Sequence, residues 1–156
     1  MSSLEGKQFR MGAATVKSLL LLSLVPHSPD LALLVLRAWI GTSLFLRHGL
    51  EKLFGNPEMI THFPDPLHVG TYASFAVSTL SDGICSILVI FGFATRLSVL
   101  TIFANIFVAW ATVVHFQFLA HGVSPGEAIV LYLGGFLTVV VAGPGRFSLD
   151  SLLTKY

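Results

Sequence analysis

The chain has 156 residues, 54% of them hydrophobic and 11% charged, with a net charge of +1. A soluble domain carries about 25% charged residues, so this chain lacks the polar material to cover a water-facing surface, and its length suits one domain. The weak charge and the lack of a Lys/Arg cluster exclude a nucleic-acid stripe; a single cysteine, Cys85, excludes an internal disulfide, a dithiol redox pair and a cysteine zinc site.

Residues 1–27 read as an N-terminal cytoplasmic or interfacial tail. Its apolar run from Ser18 to Val25 is too short to span a bilayer, and no small-residue cleavage site follows. That pattern favours a short interfacial helix over a cleaved signal peptide. A spanning helix needs about 20 mostly apolar residues. Four segments qualify: about Asp30 to Phe54, about Gly70 to Phe93, about Thr95 to Ala120 and about Pro125 to Ala142. Ser28-Pro29-Asp30 supplies a cap and a proline for the first helical position. Ser124-Pro125-Gly126-Glu127 has the Ser-x-x-Glu capping pattern. Gly55, Gly92 and Gly143-Pro144-Gly145 are stop signals. The expected membrane domain is therefore 28–146. Residues 147–156 form a C-terminal interfacial tail, in which Ser148 to Leu153 reads as a surface helix.

Basic residues set the orientation. Lys7, Arg10 and Lys17 precede the first segment, Arg96 lies in the second connection, and Arg146 and Lys155 follow the fourth. The first loop, about Gly55 to Val69, and the third connection hold neither lysine nor arginine. The basic flanks fall on one side if both termini are cytoplasmic. Arg47 and Lys52, near the outer end of the first helix, break this rule and read as functional or paired groups. The fold class is thus all-α: an integral membrane bundle of four transmembrane helices.

Ionisable residues inside a spanning segment are costly and usually face the bundle interior. Arg37, Gly41, Leu44, His48 and Lys52 recur at helical spacing, with Glu51 beside them. The second helix carries Ser74, Ser78, Asp82, Cys85 and Ser86, and the third Thr101, Asn105, Val108, Thr112 and His115. The fourth carries Glu127, Leu131, Gly134 and Thr138. Four such seams turned inward would line the core with polar groups. Arg37 lies roughly 10 Å from the inner side and Asp82 roughly 15 Å from the same side, so an Arg37–Asp82 ion pair is expected, chiefly as a device for charge satisfaction and register. Trp39 and Trp110 read as packing or interface aromatics, and Gly134-x-x-x-Thr138 as a helix-packing pair.

A second group gathers near the outer surface: His48, Glu51, Lys52, Tyr72, His115 and Glu127. Hydrogen-bond donors, carboxylates and imidazoles at the lip of an apolar bundle are what a quinone headgroup needs, since its carbonyls accept hydrogen bonds and its reduction takes up protons. Blander readings stand beside this one: Glu127 as partner of the Ser124 cap, Lys52 snorkelling to headgroups, His115 as a satisfied core histidine. His48 and His115 on different helices fall short of a haem site. No metal is expected.

Four features stand out in order along the chain: Leu36-Arg37-Ala38-Trp39-Ile40-Gly41 followed by His48-Gly49-Leu50-Glu51-Lys52-Leu53-Phe54-Gly55; Gly92-Phe93-Ala94-Thr95-Arg96; Glu127 at the start of the fourth helix; and Gly143-Pro144-Gly145-Arg146-Phe147-Ser148-Leu149-Asp150. Together they resemble the DoxX family of small bacterial and archaeal membrane proteins, looking like its first-helix pattern, its Gly-x-x-Thr-Arg turn, the glutamate that opens its fourth helix and its ending. The resemblance spans about Leu31 to Leu153. One departure is Asp82, where the family often has glutamate.

The resemblance implies a four-helix fold in a bacterial or archaeal inner membrane and a link to quinone-dependent redox chemistry, because relatives include a subunit of a thiosulfate:quinone oxidoreductase. Two functions follow as expectations. One is a quinone-interacting membrane subunit of an oxidoreductase, fed with electrons by a protein docked on the outer face. The other is a non-catalytic scaffold or assembly subunit of a larger complex. Partners are the lipid bilayer and such a protein, with homo-oligomers left open.

Overall fold

The computed structural model describes residues 28–55, 57–116 and 125–154. The apolar run from Ser18 to Val25, the basic residues before it, Ser124 and Lys155 lie outside them. The described residues are helical, with no strand among them.

Helix α1 runs from Pro29 to Phe54. Ser28 opens it, its side chain accepting the Leu31 amide at 3.2 Å, and Pro29 fills the first turn, where no amide donor is needed. At 26 residues it is about 39 Å long, more than the roughly 30 Å hydrocarbon core of a bilayer. Helix α2, Thr71–Phe91, begins where Asp65 caps it from the first loop, accepting the Gly70 amide at 2.7 Å and the Ser74 hydroxyl at 2.7 Å. The Ser74 hydroxyl, then the Gly70 and Val69 amides, hold the Asp65 carboxyl below its ordinary range.

Helix α3, Thr95–Thr112, ends earlier than the hydrophobic pattern predicts. The chain turns out of it through His115 and Phe116, both at positive φ (50° and 56°), and the edge of one ring of the Trp110–Phe116 pair meets the face of the other at 5.0 Å. Helix α4 is Pro125–Ala142 and α5 is Leu149–Leu153. Three helices, α1 to α3, are long and apolar enough to cross a membrane, while Gly126–Ala142 is a shorter apolar helix.

The four long helices form a ring. α1 packs on α2 and α4, and α3 packs on the same two. The core they enclose is apolar at its centre, with Val89, Val99, Ile102, Phe136 and Val139 fully buried. Outside, large apolar side chains such as Trp39, Leu97, Leu131 and Val141 are exposed. A bilayer solvates such a surface and water does not.

At the end where α1 begins, the residues after α4 fold back across the bundle. Arg146 donates its amide to Asp30 at 2.8 Å, and Arg37 donates from Nη2 to the Phe147 carbonyl at 2.6 Å. Asp150 accepts from the Ala94 amide (2.7 Å), the Thr95 amide (2.8 Å) and the Thr95 hydroxyl (2.7 Å). It therefore caps α3 from a remote stretch of chain, satisfying amides that a helix start leaves unpaired. Burial pushes the Asp150 carboxyl up, but the Thr95 and Ala94 bonds and the Arg37 charge outweigh it and hold it below its ordinary range. The expected terminal surface helix thus exists as α5, and it is docked, with Ser148 buried at its start.

Gly92 makes this arrangement possible. It ends α2 in the left-handed conformation (φ 71°), with the Phe93 amide returning to the Leu88 carbonyl at 2.9 Å. A Cβ there would also strike the Arg37 guanidinium.

Candidate functional site

α1 and α2 each change winding partway along. Phe45–Gly49 and Leu80–Cys85 are π-helical, and the two segments pack against each other. Such segments are rare and concentrate at functional sites. Gly49 lies so close to α2 that a Cβ would meet the Asp82 carbonyl oxygen. The carbonyls loosened in the α2 segment have a partner: Ser86 donates its hydroxyl to Asp82 O (2.6 Å) and Gly83 O (2.8 Å).

Asp82 sits at this crossing, buried, in a polar cluster. It forms an ion pair with Lys52 and accepts Ser81 Oγ at 3.0 Å and Asn105 Nδ2 at 3.1 Å. Lys52 also donates to Ser78 Oγ at 2.5 Å, and its ammonium lies 5.6 Å from the centroid of the Phe63 ring. Phe63 comes from the first loop and is braced edge-to-face against Phe75 at 5.3 Å.

The expected Arg37–Asp82 pair does not form, and side-chain direction explains why. Helical side chains lean toward the N-terminus of their helix. On antiparallel neighbours, Arg37 leans toward the start of α1 and meets Gly92 and Phe147, while Asp82 leans the opposite way, toward Ser78. Lys52, higher on α1, leans down and meets Asp82. Depth along the axis alone misses this.

Above the cluster opens a cavity of about 310 Å³. Lys52, Asp82, Ser78 and Asn105 form its polar floor. Leu44, Val77, Ile106, Ala109, Ile129 and Tyr132 are among its walls, and Phe63, Pro64, Pro66 and Leu67 of the first loop overhang it. His48 stands on the wall one turn from Lys52. The arrangement presents ammonium, amide and imidazole N–H groups within a largely apolar chamber, so it suits a flat ring bearing hydrogen-bond acceptors.

Of the six outer residues expected to converge, the structure brings His48 and Lys52 to this cavity. Glu51, Tyr72, His115 and Glu127 are exposed and do not line it. Glu51 lies on the outer side of α1. Tyr72, in the first turn of α2, is 70% exposed. His115 has left α3 for the left-handed turn. Glu127 belongs to a stripe with Leu131, Gly134 and Thr138 that faces outward, because α4 buries Leu133, Phe136 and Val139 instead. Thr138 needs no polar interior, since its hydroxyl donates to the Gly134 carbonyl at 2.9 Å. A Cβ added at Gly134 would meet nothing within 4 Å among the described residues. The fourth polar seam therefore does not face inward.

Asp82, Ser78 and Asn105 are the site residues that the expected outer group omits. Their signal was present in the polar seams of the second and third helices. Tyr132, whose hydroxyl is 2.6 Å from Ser43 Oγ, has no comparable signal in its apolar surroundings. No group of three or more His, Cys, Asp or Glu side chains able to hold a metal occurs among the described residues.

Residues 32–116 match the family model described as DoxX. The chain is similar to an uncharacterised protein of Haemophilus influenzae, 31% identical over 129 residues, covering 80% of this chain and 84% of the relative. No solved structure gives a significant match.

Proposed function

Because the chain belongs to the DoxX family of membrane proteins, we propose that it is the quinone-interacting membrane subunit of an oxidoreductase, holding the quinone ring in the cavity above Lys52 and Asp82. One observation carries this reading: an apolar chamber whose floor is a buried, hydrogen-bonded Lys–Asp pair. Two N–H groups of the Lys52 ammonium engage Ser78 and Asp82, which leaves a third to meet a carbonyl oxygen. His48, one turn from Lys52 on the same wall, offers a second N–H to the ring. Reduction of a quinone to its quinol takes two electrons and two protons. In this proposal a partner protein supplies the electrons, and His48, an exposed side chain on the cavity wall, passes protons to the ring oxygens.

The proposal includes α4 as a fourth span. Its 18 residues measure about 27 Å, close to the hydrocarbon thickness, and it packs on α3. It also places both termini in the cytoplasm of a bacterial or archaeal cell, with the first loop outside, on the distribution of lysine and arginine. Thiol-reactive labelling of cysteines introduced at Pro57 or Leu67 from the outside is expected to succeed; labelling there only from the cytoplasm would reverse the orientation.

The functional test uses Asn105→Leu and His48→Ala in the assembled complex. Asn105→Leu removes a donor from the cavity floor and leaves the Lys52–Asp82 pair in place. Loss of a hydrogen bond of about 1.5 kcal/mol weakens quinone affinity roughly tenfold, and His48→Ala is expected to lower quinone-linked turnover at matched assembly. Unchanged affinity and turnover in both variants would remove this reading and leave the non-catalytic scaffold in its place.

A further inference from the structure

A second hollow, of about 340 Å³, lies between α1 and α4 on the outside of the bundle. Trp39, Ile40, Ser43, Ala128, Leu131 and Tyr132 line it. Tyr132 lines the inner cavity as well. The division is one residue thick on both helices: Ser43 faces the outer groove and Leu44 the cavity, while Ala128 faces the groove and Ile129 the cavity. Between the two spaces stands the hydrogen bond between Ser43, which lines the groove, and Tyr132, which lines both, 2.6 Å long. α4 packs on the Pro29–Leu44 part of α1, so this bond stands at the upper limit of their contact.

We propose that the α1–α4 groove is the passage by which the apolar tail of a lipid-soluble ligand leaves the inner cavity for the bilayer, with the Ser43–Tyr132 pair as its gate. This rests on the reading of the cavity as a ring site. The inner space is at the small end of the roughly 300–1,000 Å³ of ligand pockets. It has room for a ring and none for a long chain beside it. The groove is mostly apolar, with the Ser43 and Tyr132 hydroxyls as its polar groups, and opens onto the face where Trp39 and Leu131, each 76% exposed, meet lipid. The ligand class is therefore a tailed amphiphile: a ring with acceptors at the Lys52 end and a hydrocarbon chain passing Tyr132. The gate costs little to open, because a phenol and a serine hydroxyl that part can each hydrogen-bond to the ligand or to a backbone carbonyl. The competing route leads up through the first-loop side of the cavity, past Pro66 and Leu67.

Equilibrium binding of two probes to the full chain in lipid nanodiscs separates these routes: duroquinone, which has no tail, and a decyl-substituted benzoquinone. Ala128→Phe fills the groove from an exposed position without touching the cavity floor. It is expected to raise the Kd of the decyl probe at least tenfold and to leave that of duroquinone within twofold. Leu131→Phe, on an outward-facing residue, gives the same readout should Ala128→Phe fail to fold. Equal binding of the decyl probe before and after filling, with both probes bound by the unaltered chain, would overturn the groove and leave the ring site standing. Failure of the unaltered chain to bind either probe would overturn both.

Discussion

Asp82→Ala is expected to destabilise the bundle by about 3–5 kcal/mol, since it strands the Lys52 ammonium in a site that is nine-tenths closed to solvent. Removing both charges should cost less than removing one, because the double variant Lys52→Ala with Asp82→Ala leaves no uncompensated ion. Reversible unfolding in mixed detergent, read by helix content, measures both. Equal losses in the single and double variants would mean that the pair is solvated rather than buried. The same experiment checks the reassignment of Asp82 from Arg37 to Lys52. Arg37→Ala and Asp82→Ala should add within about 0.5 kcal/mol, as separate sites do, whereas a direct pair would couple them strongly.

Gly49→Ala carries the second large effect. The new methyl group would be driven into the backbone of α2 at Asp82, and a backbone cannot swing aside as a side chain does. Overpacking of this kind costs about 1–3 kcal/mol. Here it also prises α1 from α2 at the level where Lys52 reaches Asp82, so quinone binding should fall with stability. Gly83→Ala is the control. The atoms nearest its methyl group belong to the Leu53 side chain, at 3.0 Å, and that side chain can turn away. A loss in Gly83→Ala as large as in Gly49→Ala would show that the close approach at Gly49 is not what holds the crossing.

Much of the bundle was legible in the sequence for a simple reason. Long apolar stretches bounded by Ser28-Pro29, Gly92 and Gly143-Pro144-Gly145 have few alternatives to helices, and the breaks fall close to where the chain turns. The end of α3 was not legible, because apolar residues continue past Thr112 and only the left-handed turn at His115 and Phe116 stops the helix. Polar seams on the first three helices marked Ser78, Asp82, Asn105 and Lys52 as interior groups. Spacing could not say which would meet. That depends on the lean of each side chain along its helix and on the π-helical segments, each of which shifts the register of its helix by about one residue. The α4 stripe runs against the expectation because polar periodicity does not by itself mark an inward face. Glycine and threonine cost little against lipid when their backbone bonds are made, and the bulky apolar residues of α4 do the filling instead. The Asp150 cap on α3 bridges 55 positions of sequence and leaves no local trace.

The proposed ring site also accounts for the first loop, which sequence composition marked only by its prolines. Asp65 fixes the loop to the start of α2, and Phe63 stands over Lys52, so the overhang shields the ion pair from the aqueous side. Shielding strengthens each hydrogen bond at the floor.

Quinone occupancy of the complex, solubilised gently with its native lipids and weighed intact by mass spectrometry, tests the site most directly. About one quinone per chain is expected in the unaltered protein, falling sharply in Asn105→Leu of equal assembly. A stable complex with its protein partner and no bound quinone, in the unaltered protein and the variant alike, would contradict the site and identify the chain as a scaffold.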